Sequence, residues 1–155
     1  MTNRNFTTNF TVRQTPERVF AAINNVRGWW SEEIKGGTDK LGEEFDYRFK
    51  DMHRCKIKVT EFIPNKKVVW RVLDNYFNFI EDKTEWVGTE IIFDVSKKGD
   101  KTEVRFTHLG LVPQVECYDV CSEGWGTNIN GSLRSLITTG KGQPNVGDGD
   151  SHEAG

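Results

Sequence analysis

The sequence predicts an α+β domain in which a long C-terminal helix packs on one face of an antiparallel sheet. Two observations lead to this prediction. Between residues 43 and 109, apolar and polar side chains alternate, which is typical of strands with one buried face. After Pro113, apolar residues recur every three or four positions, which is typical of an amphipathic helix. We assign residues 1–140 to this single domain and residues 141–155, which are nearly free of apolar side chains, to a disordered tail.

The N-terminal segment predicts one strand followed by two short helices. Apolar residues alternate with polar ones between Phe6 and Val12, which indicates a half-buried strand. Thr15 is a suitable N-cap for a helix that has Pro16 at its first position. A second short helix or turn then ends in a tryptophan pair at residues 29–30.

The middle of the chain predicts five antiparallel strands. They cover about residues 45–50, 55–60, 68–73, 87–95 and 102–109. The sequence KKGDK between the last two strands is typical of a hairpin turn. Residues 74–85 do not alternate cleanly, and we interpret them as a loop or a distorted edge strand. Aromatic residues between turn and charged residues in this segment are consistent with a mobile lid.

The C-terminal helix is predicted to run from Pro113 to Gly140, roughly 25 residues, which is long enough to cross a sheet. Three glycines in its interior, Gly124, Gly126 and Gly131, each cost about 1 kcal/mol relative to alanine. Close packing on the sheet, space for a ligand, or a tolerated bend would each explain them. The apolar positions of the helix are Val115, Tyr118, Cys121 or Ser122, Trp125, Ile129, Leu133, and Leu136 or Ile137.

The bulk composition excludes several classes of protein. The formal net charge is -2 and both signs are interspersed, so the sequence predicts no nucleic-acid surface and no membrane association. The N-terminus lacks the charged and apolar regions of a signal peptide. Three cysteines without a disulfide spacing favour a reducing, cytoplasmic environment. We expect no cofactor.

Two cysteines spaced by four residues, Cys117 and Cys121, raise the question of a metal or redox site. Zinc needs three or four converging ligands, and the third cysteine, Cys55, lies on a distant strand. A disulfide is also disfavoured, because sulfurs at this spacing on a helix are poorly aimed. We therefore predict no metal, and we interpret Cys121 as a buried apolar side chain and Cys117 as partly exposed. A reactive thiol is the remaining alternative.

The chain resembles the START-like, helix-grip (SRPBCC) superfamily, and within it the bacterial homologues of the Aha-type activator of the heat-shock chaperone ATPase. The resemblance covers about residues 5–140, and its markers are residues 16–20, 29–30, 107–111 and 124–125. It implies a curved sheet that wraps around the C-terminal helix and encloses a cavity. Members of the superfamily bind lipids, hormones or polyketides, some cyclise or hydrate their ligands, and others bind chaperones.

We therefore predict an internal, mainly aromatic cavity that binds a small apolar or aromatic molecule. Tyr47 and His108 would orient the polar end of this molecule, and residues 29–30 with Phe77 and Phe79 would form the entrance. The candidate binding residues are Trp29, Trp30, Tyr47, Phe49, Trp70, Phe77, Phe79, Phe93, Phe106, His108, Tyr118, Cys121 and Trp125.

Other functions stay open at the level of sequence. His108 is either a hydrogen-bonded core histidine or the acid–base group of a cyclase or hydratase that also uses Tyr118 or Tyr47. Glu61 lies near a strand end, where a solvated or bulged position is expected. A chaperone-binding module is the other alternative, and the chain is either a monomer or a homodimer.

Overall fold

The computed structural model of the chain describes residues 5–49, 52–78, 80–81 and 83–144. Seven strands form one antiparallel sheet: β1 (Phe6–Val12), β2 (Ile34–Gly36), β3 (Glu44–Phe49), β4 (His53–Ile63), β5 (Lys67–Phe77), β6 (Glu90–Lys98) and β7 (Lys101–Leu109). Their spatial order is β1-β7-β6-β5-β4-β3-β2. The sheet curves around the C-terminal helix, so the predicted α+β architecture is confirmed.

The predicted N-terminal elements are confirmed. The strand β1 has the predicted bounds and pairs with β7, and helix α1 (Pro16–Asn24) follows it. The hydroxyl of Thr15 caps this helix by accepting a hydrogen bond of 3.2 Å from the backbone N–H of Arg18. Helix α2 (Val26–Trp29) is a single turn. The three-residue strand β2 was not predicted, because it is too short to show an alternation.

The strand β5 explains why residues 74–85 do not alternate cleanly. Val72 pairs with Ile57, whereas Asp74 pairs with Lys56, so Leu73 is an extra residue that shifts the register. The strand continues beyond this bulge to Phe77, where it pairs with β4 but no longer with β6. The distorted-strand interpretation is therefore confirmed up to Phe77, and a loop connects that point to β6.

The C-terminal helix begins later than predicted. It consists of three consecutive stretches, α3 (Tyr118–Gly126), a π-helical segment (Thr127–Leu133) and α4 (Arg134–Thr139). The predicted start at Pro113 is wrong, because residues 113–117 form turns. The predicted end is confirmed: Gly140 has a left-handed φ of 86°, a conformation that glycine adopts without a steric cost.

The chain stays in contact with the domain for a few residues beyond Gly140. The backbone N–H of Gln143 donates a 2.6 Å hydrogen bond to the hydroxyl of Ser132. A side chain at Gly142 would collide with the carbonyl oxygen of Gly28, so these backbones approach closely. The first residues of the predicted tail therefore pack on the domain, and residues 145–155 lie outside the described residues.

Large aromatic side chains fill most of the space between the sheet and the C-terminal helix. Trp70 on β5 stacks on both Trp29 and Trp30, with ring centroids 6.4 and 5.9 Å apart. Trp125 reaches from the helix to Phe106 on β7, at 4.6 Å. These contacts bury much apolar area with few residues, which compensates for the modest apolar content of the sequence. No helix in the described part of the chain is long and apolar enough to cross a membrane.

Candidate functional site

A pocket of about 320 Å³ lies where helix α3 and the π-helical segment face one end of β3, β4 and β5. We call it the aromatic pocket. Aromatic and apolar side chains from six parts of the chain converge there. Its lining residues are Trp30, Tyr47, Phe49, Met52, His53, Phe77, Trp86, Val120, Cys121, Gly124, Trp125, Thr127 and Asn128.

The walls of the pocket are held in place by contacts between their own rings. The Trp30 ring stacks on Tyr47 with centroids 3.9 Å apart and contacts Trp125 at 5.0 Å. The His53 ring, which meets Tyr47 at 5.1 Å, contacts Phe77 at 4.3 Å and meets Trp86 edge to face at 4.7 Å. Because each ring is fixed by at least one other, the pocket is largely preformed.

The mouth of the pocket is apolar. Met52 is 39% exposed and Val120 is 60% exposed, and both line the pocket. Beside Val120, Gly124 leaves open space, since no described atom lies within 4 Å of the Cβ that a side chain would add. None of the described side chains that line the pocket is an acid, a lysine or an arginine. An apolar, uncharged molecule therefore suits this surface better than an ion.

His53 is the most buried polar side chain of the pocket wall. The Asn75 side chain is oriented by its amide nitrogen, which donates to the carbonyl oxygen of Lys83. The Asn75 Oδ1 atom therefore accepts a 2.8 Å hydrogen bond from Nε2 of His53. Burial lowers the pKa of His53 to about 4, although the Asn75 hydrogen bond partly opposes this shift. His53 is therefore neutral at pH 7, with its proton on Nε2.

His108 lies deeper and is fully enclosed by a chain of hydrogen bonds. The Trp125 Nε1–H donates to Nδ1 of His108 at 3.0 Å, which assigns the His108 proton to Nε2. Nε2 then donates to the Thr89 hydroxyl at 2.9 Å, and that hydroxyl donates to the carbonyl oxygen of Trp86 at 2.7 Å. Burial, and secondarily the nearby His53, lowers the pKa of His108 to about 3. Both ring nitrogens are engaged, as expected for a structural core histidine.

The loop that follows β5 is fastened to the start of the C-terminal helix by two carboxylates. Glu85 accepts hydrogen bonds from the backbone N–H groups of Glu116 and Cys117. In return, the Glu116 carboxylate accepts from the backbone N–H of Glu81, at 3.0 and 3.1 Å. These contacts explain why the helix does not begin at Pro113. They also hold the loop against the pocket, to which it contributes Trp86.

The two neighbouring cysteines are free thiols. Cys117 is fully buried, so the prediction that it is partly exposed is wrong; the loop carrying Glu85 covers it. Cys121 is also buried, as predicted, and its thiol interacts with Cys117 and with the Trp86 indole. The Cys117 hydrogen bond and burial raise the pKa of Cys121 well above its usual value. In the described residues, no three His, Cys, Asp or Glu side chains are placed to hold a metal ion.

The structure brings six of the predicted binding residues together in the aromatic pocket: Trp30, Tyr47, Phe49, Phe77, Cys121 and Trp125. Five others are fully buried in the core behind it and do not line it: Trp29, Trp70, Phe93, Phe106 and His108. Tyr118 is half-buried and lies outside the pocket lining, and Phe79 lies outside the described residues. Core side chains therefore fill the deep part of the predicted cavity, and the aromatic pocket is the space that stays open.

Sequence reasoning missed two central residues of the pocket. His53 lies between the strands predicted at residues 45–50 and 55–60, although it continues the alternation of Cys55, Ile57 and Val59 by one more inward position. Trp86 lies between residues 74–85, which we interpret as a loop or a distorted edge strand, and the strand predicted from residue 87, and no periodicity marks it as a buried position. The signal for Trp86 was its size, since a tryptophan between charged and polar residues needs a place to bury its ring.

The glycines of the C-terminal helix do not serve close packing. Added Cβ atoms at Gly124, Gly126 and Gly131 would meet no described atom within 4 Å. Instead, Gly126 directly precedes the π-helical segment and Gly131 lies within it. Such segments in α-helices are frequent at functional sites, and here the first two residues of the segment, Thr127 and Asn128, line the aromatic pocket. Glu61 lies at a register shift of β4, as predicted.

A larger groove of about 760 Å³ lies at the side of the sheet formed by β2 to β5. Its lining contains acidic and basic side chains in equal number, four of each. Lys56 lies 3.7 Å from the Glu44 carboxylate and 3.9 Å from that of Asp46, and the Arg54 guanidinium lies over the Tyr76 ring at 4.8 Å. Because this groove is lined largely by charged side chains, the smaller aromatic pocket is the better candidate for the binding of an apolar ligand.

Comparisons with known proteins agree with this architecture. Residues 13–138 match the family model described as Activator of Hsp90 ATPase homolog 1-like protein. The solution structure of the Aha1 dimer from Colwellia psychrerythraea is similar, with a TM-score of 0.72 and 27% identity over 90% of this chain and 99% of that chain. None of the curated proteins compared with the chain matches it.

Two crystal structures share the fold at lower sequence identity. One is a protein from Mesorhizobium loti, with a TM-score of 0.69 and 16% identity over 86% of this chain and 96% of that chain. The other is DynU16, a protein of the dynemicin biosynthetic locus, with a TM-score of 0.65 and 14% identity over 89% of this chain and 48% of that chain. At this level of identity the likeness shows the fold alone.

Proposed function

Since the chain belongs to the family of Activator of Hsp90 ATPase homolog 1-like proteins, we propose that it binds a small apolar or aromatic molecule in the aromatic pocket. The observation that carries the proposal is a preformed, uncharged pocket that the core side chains leave open. Its volume of about 320 Å³ lies in the range of small-molecule sites, and so does its mixture of aromatic walls with a few polar groups.

The pocket also has the physical properties that make binding favourable. Burying apolar ligand surface against these rings contributes about 25 cal/mol per Å² removed from water. The rings are already fixed by mutual contacts, so little side-chain entropy is lost when a ligand enters. The exposed Met52 and Val120 at the mouth give a ligand an apolar path inward.

The experiment that tests this proposal is native mass spectrometry of gently purified protein, compared with its mass after denaturation. We expect the native protein to carry an additional mass that is lost on denaturation. Gly124→Leu places a side chain in the open space of the pocket and should abolish this mass. Gly131→Leu is the matched control, because Gly131 lies in the same helix with equally open space but outside the pocket lining.

The outcomes separate the alternatives. If Gly124→Leu and Gly131→Leu retain the additional mass equally, the ligand binds at another site. If the wild-type protein shows no additional mass, it should be titrated with small aromatic compounds. The proposal is contradicted if none of these compounds binds.

A second candidate function is the binding of a chaperone ATPase, which the family description and the similar Aha1 protein favour. A pull-down with the chaperone at micromolar concentration, followed by an ATPase assay, tests it. A homodimer is part of the same candidate, because the similar Colwellia protein is a dimer; sedimentation would reveal it. We also propose a cytoplasmic location, since three cysteines without a disulfide fit a reducing compartment.

A further inference from the structure

Two polar atoms of the pocket wall have no oxygen or nitrogen partner among the residues that the structure describes. The first is Nδ1 of His53. Because the Asn75 side chain takes the proton-bearing Nε2, Nδ1 of the neutral ring is an acceptor, and none of the hydrogen bonds among the described residues involves it. His53 is only 8% exposed and lines the pocket, so a ligand is the natural source of a donor.

The second atom is Nε1 of Trp86, which is a buried donor. In the described part of the chain it has no hydrogen-bond acceptor, and its indole has only a weak interaction with the Cys121 sulfur, which also lines the pocket. A buried donor without a partner costs about 1–3 kcal/mol. The Trp86 and His53 rings meet edge to face with centroids 4.7 Å apart. An acceptor and a donor that lack an oxygen or nitrogen partner among the described residues therefore belong to two adjacent rings of the pocket wall.

We propose that the aromatic pocket selects a neutral aromatic molecule that carries a hydroxyl group, with the hydroxyl held between His53 and Trp86. The hydroxyl hydrogen is donated to Nδ1 of His53, and the hydroxyl oxygen accepts from Nε1 of Trp86. One hydroxyl satisfies both atoms, because it is a donor and an acceptor at once. This inference rests on the proposed function, and it names the chemical class of ligand for the same pocket.

Other ligand chemistries leave part of this arrangement unsatisfied. A carboxylate or phosphate cannot donate to His53, and the described lining offers no cation to offset the burial of its charge. An ether or a ketone accepts from Trp86 but donates nothing. A quaternary ammonium ion would contact the rings through cation–π interactions, but it would leave both polar atoms unpaired.

A set of matched probes tests the inference by isothermal titration calorimetry. The probe 2-naphthol donates and accepts, 2-methoxynaphthalene only accepts, and naphthalene does neither. We expect 2-naphthol to bind about fivefold more tightly than 2-methoxynaphthalene and about thirtyfold more tightly than naphthalene, since it makes one and two more hydrogen bonds respectively, each contributing about 1 kcal/mol. Tetramethylammonium should bind more weakly than 2-naphthol.

Two variants locate the hydroxyl. His53→Gln keeps a side-chain N–H for the Asn75 oxygen but removes the acceptor at Nδ1, and Trp86→Phe keeps a ring but removes the Nε1 donor. His53→Gln should remove the preference for 2-naphthol over 2-methoxynaphthalene, which depends on the hydrogen donated to Nδ1. Trp86→Phe should reduce the preference for 2-naphthol over naphthalene to about fivefold, because only the hydrogen bond to His53 is then left. Naphthalene affinity should change less than the affinity for 2-naphthol, and circular dichroism should show that both variants are folded.

Several results would overturn the inference. If wild-type protein binds all three naphthalene probes equally well, the pocket binds aromatic molecules but does not select a hydroxyl. If the preference over 2-methoxynaphthalene survives in His53→Gln, and the preference over naphthalene is unchanged in Trp86→Phe, the hydroxyl lies elsewhere. Tighter binding of tetramethylammonium than of 2-naphthol indicates a cation site. If folded wild-type protein binds none of these compounds, both the inference and the proposed function fail.

Discussion

Replacing His108 by leucine should destabilise the fold by about 2–4 kcal/mol, because the imidazole connects the C-terminal helix to the loop before β6. In His108→Leu, the buried Nε1–H of Trp125 loses its acceptor, which costs about 1–3 kcal/mol. The Thr89 hydroxyl also loses a hydrogen bond, which contributes about 1 kcal/mol. Urea unfolding at pH 7.5, followed by tryptophan fluorescence, measures the change in the free energy of unfolding.

A double-mutant cycle separates the hydrogen bond from the loss of packing. Trp125→Phe removes the indole donor and keeps a ring. If His108 and Trp125 stabilise the fold through their 3.0 Å hydrogen bond, the two substitutions together should cost at least about 1 kcal/mol less than the sum of the single costs. Additive costs, or a loss below about 1 kcal/mol in His108→Leu, would refute the structural role of this histidine.

The pH dependence of stability gives an independent check on the same side chain. The pKa of His108 falls from its ordinary value of 6.5 to about 3 on folding, so the unfolded state binds the proton first as the pH is lowered. The stabilisation is therefore complete above pH 6.5 and is lost progressively toward pH 3. At pH 5 the loss from His108 is roughly 2 kcal/mol. His108→Leu should lack this contribution, and identical pH profiles of variant and wild type would contradict the buried neutral state.

The remaining predictions concern the helix, the loop and the thiols. Gly124→Leu and Gly131→Leu should each raise the free energy of unfolding by up to about 1 kcal/mol, because both positions are helical with open space; a lower melting temperature for Gly124→Leu alone would show that its side of the pocket is closed. Glu85→Gln should lower the free energy of unfolding by about 0.5–2 kcal/mol and accelerate amide exchange near Cys117, whereas unchanged exchange would contradict the fastening of the loop. Cys117 and Cys121 should react with a thiol reagent much more slowly in folded than in urea-unfolded protein, because both are buried; equal rates would contradict the burial.

The strands were predictable because their inward and outward residues alternate, and the alternation failed only where the geometry changes. Leu73 is an extra residue in β5, so the inward positions shift from Trp70 and Val72 to Asn75 and Phe77. A single sequence does not reveal which residue of a strand bulges, since that depends on the pairing with β4. The end of the C-terminal helix was predictable from Gly140.

The candidate site was only partly predictable, because it lies at the border between the closely packed core and the space that the core side chains leave open. Aromatic residues on inward faces all have the same signal in the sequence, whether they fill the core as Trp70 does or line the open space as Trp30 does. The difference depends on how neighbouring rings pack, which is a tertiary property. Likewise, His108 and His53 differ through their partners: His108 has both nitrogens engaged, and His53 has only Nε2 engaged among the described residues.

The most direct test of the aromatic pocket is the shift of the tryptophan indole N–H signals in nitrogen-15-labelled protein during titration with 2-naphthol. The chain has five tryptophans, and single substitutions to phenylalanine assign their signals. We expect the largest shifts for Trp30, Trp86 and Trp125, which line the pocket, and smaller ones for Trp29 and Trp70, which lie in the core behind it. Largest shifts at Trp29 and Trp70, or no shift at saturating 2-naphthol, would contradict a ligand site in the aromatic pocket.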